Sequence, residues 1–318
     1  MDKILQKLPK VQKNVLLKDY TTYKIGGPAK YFFVAKSKED LMVALQEAKN
    51  FKLPVFILGG GSNLLVSDKG FKGFVIKIDI LGAEFRGNVA FVGAGVSLTK
   101  LAYLSANEGL SGLEWAAGIP SGTIGGSIYG SAQAFGTKMA DTVKEVEALD
   151  IKTFKVKKLS NRQCKFSLKN SIFKKNKNLV IISAVLELKK EDTDKIKHRI
   201  KEFIQYRKNG HPLNFPSAGS TFVNPQKKIT NKNLLVKFPE LNEYNKKGVI
   251  PAGYLIAKSG LAGRKIGKAQ ISEKHSNFII NLGGAKAKDV LGLISLAKKD
   301  VKNIFGIELE PEVQFIEF

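Results

Sequence analysis

Two stretches of the chain carry enough glycine to do chemistry with their backbone. One is Gly59-Gly60-Gly61-Ser62-Asn63, directly after the apolar run 53–58, and the other is Gly118-Ile119-Pro120-Ser121-Gly122-Thr123-Ile124-Gly125-Gly126-Ser127. Successive glycines reach positive φ and turn consecutive N–H groups to one side. Such a nest holds anionic oxygen, typically that of a pyrophosphate. Tight turns are the plain alternative for either loop alone, whereas two such loops within ~150 residues favour a ligand. Neither has the dinucleotide spacing G-x-G-x-x-G. The run Gly93-Ala94-Gly95-Val96-Ser97-Leu98 begins that way and ends on leucine. Gly267-Lys268 resembles the end of a P-loop, but Ala262 stands at its first glycine and Ala269 at its hydroxyl position. A phosphate-bearing cofactor on some other fold is the better reading.

A third constellation, Pro216-Ser217-Ala218-Gly219-Ser220-Thr221-Phe222-Val223-Asn224-Pro225, sets small residues, a hydroxyl pair and an amide between two prolines. It suits a shaped loop presenting Ser220 and Asn224, and a turn with a capping serine explains it equally well. It lacks the spacing of the G-x-S-x-G nucleophile elbow. The three histidines, His198, His211 and His275, show no metal-ligand spacing, so no metal is expected. His275 lies in the polar cluster Ser272-Glu273-Lys274-His275-Ser276-Asn277, where it holds a ligand or caps the strand that follows.

The elements that must position these residues follow from period and punctuation. Strands are expected at 31–35, 53–58, 74–78, 89–92, Val143–Asp150, 179–188, 278–281 and 312–318. A helix opens at Ser37, with Asp40 completing an apparent capping box, and another opens at Ser97 and stops at Gly109. Amphipathic helices are expected at 192–208 and 287–304, with a short one at 251–259. The 192–208 helix reads as the joint between a first domain, 1–205, with subdomains at about 1–80 and 81–205, and a second, 206–318.

With 318 residues, 43% hydrophobic and 25% charged, the chain is an ordinary globular one of about two domains, not a disordered or low-complexity chain. No apolar run approaches a membrane span, and residues 1–14 lack an h-region and a cleavage site, so no signal peptide is expected there. The single cysteine, Cys164, allows no intrachain disulfide, which fits a cytoplasmic setting. The net charge of +24 suits a nucleic-acid binder in size but not in kind. Only five of the basic residues are arginines, and the lysines are scattered, as on a solvated surface. No nucleic acid and no membrane is expected as partner.

Six segments in order resemble the UDP-N-acetylenolpyruvoylglucosamine reductase family of peptidoglycan precursor synthesis. They are Tyr20-Thr21-Thr22-Tyr23-Lys24-Ile25-Gly26-Gly27-Pro28, Ile57 to Leu65, Trp115-Ala116-Ala117-Gly118-Ile119-Pro120, Gly219 to Pro225, Gly260 to Asn281, and Leu309-Glu310-Pro311-Glu312-Val313. The resemblance implies an α+β fold: an FAD-binding domain of the vanillyl-alcohol-oxidase (PCMH) type, made of two α+β subdomains, plus a smaller α+β C-terminal substrate domain. Length and the run from Asn224 to Pro251 resemble the family's shorter form. The implied cofactors are FAD and NADPH, and the implied partner is a small-molecule sugar-nucleotide substrate, bound by a monomer.

The implied reaction passes a hydride from NADPH to FAD, then from flavin N5 to C3 of the enolpyruvyl ether, with a proton from Ser220 to C2. The resemblance assigns catalytic roles to Ser220, Glu312 and Lys169, with Glu310 the neighbouring candidate. It assigns cofactor contacts to Gly59, Gly60, Gly61, Ser62, Asn63, Gly118, Ile119, Pro120, Gly122, Thr123, Gly125 and Gly126. Substrate contacts fall to Tyr206, Arg207, Lys208, Asn224, Gln270 and His275. Four departures stand out: Lys169 in place of the family's arginine, Gln314 in place of another, Ser131-Ala132-Gln133 for Asn-Ala-Gly, and one extra residue at Ser121. They keep an alternative open, a divergent flavin-fold protein that binds an anionic ligand without turnover or acts on a different substrate.

Overall fold

The computed structural model describes residues 3–317, folded as two compact units. The first takes the chain up to Val15, Pro28–Gly61 and Phe71–Arg207; the second takes Leu16–Gly27, Ser62–Gly70 and the chain from Lys208 onward. Leu16–Gly27 and Ser62–Gly70 therefore fold with the second unit, although the sequence division places them within 1–205. Hydrogen bonding explains the excursion. The Gly27 N–H donates to the Ser67 carbonyl at 2.9 Å, Asn281 Nδ2 donates to the Tyr23 carbonyl at 3.0 Å, and Leu64–Val66 pairs in parallel with Gln314–Ile316. The expected terminal strand thus shrinks to Gln314–Ile316, and Phe318 lies outside the described residues.

The first unit holds two sheets. The four-stranded sheet runs Gln12–Leu16, Pro28–Ala35, Phe71–Ile78, Val55–Leu58, with parallel pairing on both sides of Phe71–Ile78. Helix Lys38–Asn50 makes the crossover that parallel strands require. Ser37 Oγ accepts the Asp40 N–H at 3.1 Å, while the Asp40 carboxylate reaches one residue further back than in a capping box, to the Lys36 N–H at 2.9 Å. Both faces of the central strands are buried, and the rings of Tyr31 and Phe33 each meet Phe74 edge-on at 6.4 Å.

The other sheet is antiparallel throughout, in the order Lys155–Ser160, Val143–Asp150, Leu179–Glu187, Val89–Gly93, Ala83–Arg86. Its edge strand Lys155–Ser160 is exposed apart from the partly buried Leu159 and carries three lysines, which blunts pairing with other chains. Parallel and antiparallel sheets with packed helices make the fold α+β, as expected.

Helix Thr193–Gly210 is fastened to the first unit by one ion-pair cluster. Arg199 reaches Glu114 and Glu191, each at 2.6 Å. The guanidinium holds the Glu191 carboxyl down to about 2, so its stabilisation is complete above the ordinary carboxylate range and is lost as pH falls through about 2. Arg199→Met strands the nearly buried Glu114 and is expected to lower the melting temperature by ~5 °C at neutral pH. That deficit should shrink on acidification below about pH 4, as followed by circular dichroism.

The second unit has a three-stranded antiparallel sheet, Lys265–Ile266, Ala269–Ile271, Ile279–Asn281, against helix Ala287–Phe305. The run between Asn224 and Pro251 is no bare connection: it forms helices Lys232–Lys237 and Glu240–Lys247, and Tyr244 meets Tyr254 edge-on at 5.0 Å. The P-loop look-alike is a turn. Gly267 has φ +54°, and a Cβ there would lie 2.5 Å from the Asp289 carboxylate, which accepts N–H groups from Lys286 at 3.0 Å and Lys268 at 3.4 Å. Among the described residues no helix is long and apolar enough to cross a membrane.

Candidate active site

Within the first unit the two glycine loops meet. A Cβ on Gly60 would lie 1.5 Å from the Ser121 carbonyl oxygen, and one on Gly59 would lie 3.0 Å from Thr123 Oγ1. The glycine at 60 is therefore required by the approach of the second loop, and the one at 59 eases it. That loop is held from below by the Gly93–Val96 segment: Gly125 donates to the Ala94 carbonyl at 2.9 Å, Ile124 to Val96 at 3.0 Å, and Leu98 to Gly122 at 2.8 Å. Gly93 and Gly95 in turn leave room for the Ile80 backbone, which explains their resemblance to a nucleotide fingerprint without any ligand.

Thr99 Oγ1 ties the loop's start to the carbonyls of Ala116 at 3.3 Å and Ile119 at 3.1 Å. Thr123 caps helix Ile124–Tyr129, its hydroxyl accepting the Gly126 N–H at 3.2 Å. The N–H groups of Gly125 and Gly126 are thus engaged by the protein, and these two glycines act through close packing. Gly118 (φ +77°) and the half-buried Ile119 lead into the exposed tip, Pro120 and Ser121, before Gly122 is buried again. The extra residue, Ser121, takes φ +52°.

Beside Gly118 lies Arg207, 9% exposed, which donates through Nη2 to the Trp115 carbonyl at 2.9 Å. Its Nε is buried without an acceptor, and burial pushes the guanidinium below its ordinary pKa. Phe135 covers it, ring centroid 5.1 Å from the guanidinium carbon, and stacks on Phe203 at 4.3 Å with Tyr206 edge-on at 5.2 Å. Among the described residues no carboxylate pairs with it, and a buried cation left so is an unfavourable product of folding alone. Next to a glycine nest it suits a phosphate-bearing ligand, and the residues present fit a pyrophosphate cofactor such as FAD.

Lys169 belongs to the same unit. It occupies a tight turn at φ +54°, closed by reciprocal Ser167 and Asn170 backbone bonds at 3.0 and 3.1 Å. The buried Ser171 donates to the Tyr129 carbonyl at 2.7 Å, which fastens this turn to the end of the glycine-loop helix. Lys174 Nζ braces the Lys169 carbonyl at 2.9 Å.

The second unit gathers a separate group. Ser220 follows Gly219 (φ +74°) and is half-buried. The next residues run beside 310–312: the Glu312 N–H donates to the Thr221 carbonyl at 2.8 Å and the Val223 N–H to the Glu310 carbonyl at 2.9 Å. Ser220 thus stands one residue before a segment whose backbone is bonded to that of the half-buried Glu312, while Glu310 is exposed. Ser62 and Asn63 also lie in this unit, apart from the glycines before them. Asn63 Nδ2 donates to the Glu312 carbonyl at 3.1 Å, and its own carbonyl accepts the Gln314 N–H at 3.0 Å, so it fixes the Glu312 backbone.

Asn224 Oδ1 caps helix Ala252–Lys258 at the Ala252 N–H, 3.0 Å away, and Gln270 Nε2 donates to the Gly263 carbonyl at 3.1 Å. His275 Nδ1 accepts the Asn277 N–H at 3.3 Å, which leaves the ring's proton on Nε2. Burial pushes its pKa down, and its ring sits against His211 at 5.4 Å and Phe278 at 4.9 Å. The Lys208 carbonyl accepts Lys274 Nζ at 2.6 Å, so the stretch 206–208 is split between the two units. Sequence reasoning passed over two buried asparagines, Asn277 and Asn281, both inside the Gly260–Asn281 motif. Their type at otherwise apolar strand positions was the available signal. Among the described residues no three His, Cys, Asp or Glu side chains group where a metal could bind.

Comparison with known proteins covers both units. Residues 29–160 match the family model described as FAD binding domain, and residues 211–316 match UDP-N-acetylenolpyruvoylglucosamine reductase, C-terminal domain. The UDP-N-acetylenolpyruvoylglucosamine reductase of Caldanaerobacter subterraneus subsp. tengcongensis is 40% identical over 308 residues, covering 96% of this chain and 94% of that one. That of Bacillus subtilis is 38% identical over 326 residues, covering 99% of each. The crystal structure of the Thermus caldophilus reductase superposes with a TM-score of 0.76 at 33% identity, covering 96% of this chain and 98% of that one.

Proposed function

The chain belongs to the UDP-N-acetylenolpyruvoylglucosamine reductase family, an FAD-dependent oxidoreductase family, and from that premise we propose the reaction it performs. It reduces the enolpyruvyl ether of UDP-N-acetylenolpyruvoylglucosamine to the lactyl ether of UDP-N-acetylmuramate, with NADPH as electron source. The observation that supports this reading is the backbone pairing of Thr221–Val223, directly after Ser220, with Glu310–Glu312, in the unit that matches the reductase C-terminal domain.

A bound flavin would supply the two-electron chemistry that links NADPH to the vinyl ether. The first unit's glycine loops and Arg207 hold the cofactor's phosphates. Ser220 Oγ gives its proton to C2, where charge develops as C3 gains hydride. An unperturbed serine is a weak acid and is suited only to so basic a carbon. Lys169 offers positive charge to the substrate carboxylate, and Glu312 is held beside the donor. Asn224, Gln270 and His275 line the sugar-nucleotide side. Both the sugar nucleotide and NADPH are soluble metabolites, which supports a cytoplasmic reaction.

The test is NADPH oxidation by the flavin-loaded protein with and without the enolpyruvyl sugar nucleotide. Strong acceleration by that substrate is expected; binding without acceleration favours the anionic-ligand alternative and overturns the proposal. Lys169→Arg restores the planar fork that grips a carboxylate with two bonds. The turn's left-handed backbone strains both side chains equally, so kcat/KM is expected to hold or rise up to ~10-fold. A large loss in steady-state assays would show that the turn has been rebuilt around lysine.

A further inference from the structure

The segment that carries Ser220 is gripped from two sides, and one side chain supplies most of one grip. Asn277 is 3% exposed. Its Oδ1 accepts the Phe222 N–H and its Nδ2 donates to the Phe222 carbonyl, both at 2.9 Å. Its backbone carbonyl accepts the Thr221 N–H at 2.7 Å. A side-chain amide that pairs with both polar groups of one residue imitates a neighbouring strand. It fixes not only where Phe222 lies but how its peptide planes are turned. The other edge of the segment is taken by Glu310–Glu312. Asn277 itself is set by the 275–278 turn, where its N–H meets His275 Nδ1 at 3.3 Å and the Phe278 N–H meets the His275 carbonyl at 2.9 Å.

We propose that Asn277 is a positioning residue for the Ser220 hydroxyl: it sets the register and tilt of Thr221 and Phe222, and through them the point at which Ser220 Oγ is delivered. This rests on the reading of Ser220 as proton donor. Gly219, at φ +74°, stands just before Ser220, so the chain's path there is set from Thr221 onward. Misplacement of a reacting group by about 1 Å costs on the order of 10²-fold in rate. Substitutions at 277 that remove one or both amide groups break this pair of hydrogen bonds to Phe222. Aspartate keeps the acceptor for the Phe222 N–H and loses the donor to its carbonyl, and alanine loses both.

The experiment uses the flavin-loaded full chain and measures the two half-reactions separately in N277D and N277A, each alone and combined with S220A. Flavin reduction by NADPH is expected to stay within ~2-fold of the parent, and reoxidation by the enolpyruvyl sugar nucleotide to fall about 10²-fold. Added to S220A, either change is expected to lower reoxidation no further, because the group being positioned is already gone. An equal loss in the S220A background, a matching loss in flavin reduction, or undiminished reoxidation in the single variants overturns the proposal. Should N277A fail to retain flavin, N277D carries the test alone. If S220A reoxidises normally, the donor assignment itself fails and takes the positioning role with it. A slow S220A beside an unimpaired N277D refutes the positioning role only.

Discussion

Ser220→Ala is expected to give a yellow enzyme that NADPH bleaches at the parent rate and that the enolpyruvyl substrate recolours at least ~10³-fold more slowly. On the proposed mechanism the half-reactions should separate, because a proton reaches carbon only in the second of them; Ser220 lies in the second unit, whereas the glycine loops and Arg207 lie in the first. Removing one oxygen leaves the fold's hydrogen bonds in place: Thr221, Phe222 and Val223 keep their backbone partners on both sides. Stopped-flow absorbance reads both phases in one preparation. Reoxidation within a few-fold of the parent would remove Ser220 from the proton transfer and make Glu312 the next candidate. Ser220→Cys, which keeps a proton on the same stem, should recover part of the lost rate.

The second large effect is expected from a single methyl group. Gly60→Ala places a carbon 1.5 Å from the Ser121 oxygen, a covalent distance between atoms that are not bonded. The obstacle is backbone, so no rotamer relieves it and one loop must retreat. A destabilisation of ~3 kcal/mol is expected, together with protein purified largely without flavin, read from the ratio of flavin to protein absorbance. Gly59→Ala is the graded companion, because its contact is a threonine hydroxyl at 3.0 Å that can give by a few tenths of an ångström. Full flavin content in Gly60→Ala would show that the loops need not approach each other to hold the cofactor.

Much of this arrangement is legible in the residues themselves. Ser37 and Ser97 each cap the helix they were expected to open, and the long amphipathic patterns near 192–208 and 287–304 form helices Thr193–Gly210 and Ala287–Phe305. These signals are local, and local physics decides them. The misses have a common cause. Ile124–Tyr129 is a helix despite two glycines, because Thr123 caps it and Ala94 and Val96 take its first N–H groups. Lys155–Ser160 shows no alternation because only Leu159 is even partly buried, and the segment is recruited by pairing with Val143–Asp150.

The site residues divide in the same way. Glycine density marked both loops, but no periodicity says that Gly60 exists for Ser121, or that Gly125 and Gly126 direct their N–H groups into the protein. Asn63 has the composition of a ligand contact and in the fold braces a strand 249 residues away. Arg207 lies in a helical stretch whose pattern says nothing about its burial beside Gly118. Long-range partners of this kind leave no trace in spacing.

The pairing of Leu64–Val66 with Gln314–Ile316 has a consequence for how the molecule is made. A ribosome adds ~5–20 residues per second, so the early strand waits roughly 10–50 s for its mate. Tyr23, Ile25 and Leu65 wait with it, for all three are interior to a body assembled chiefly from residues beyond 207. The intervening polypeptide can meanwhile mature around the paired strands of Val143–Asp150 and Leu179–Glu187. A message broken shortly before codon 314 would therefore yield a nascent product whose oldest apolar segments never find cover. Such a product presents its quality-control signal near the amino end, far from the lesion that caused it.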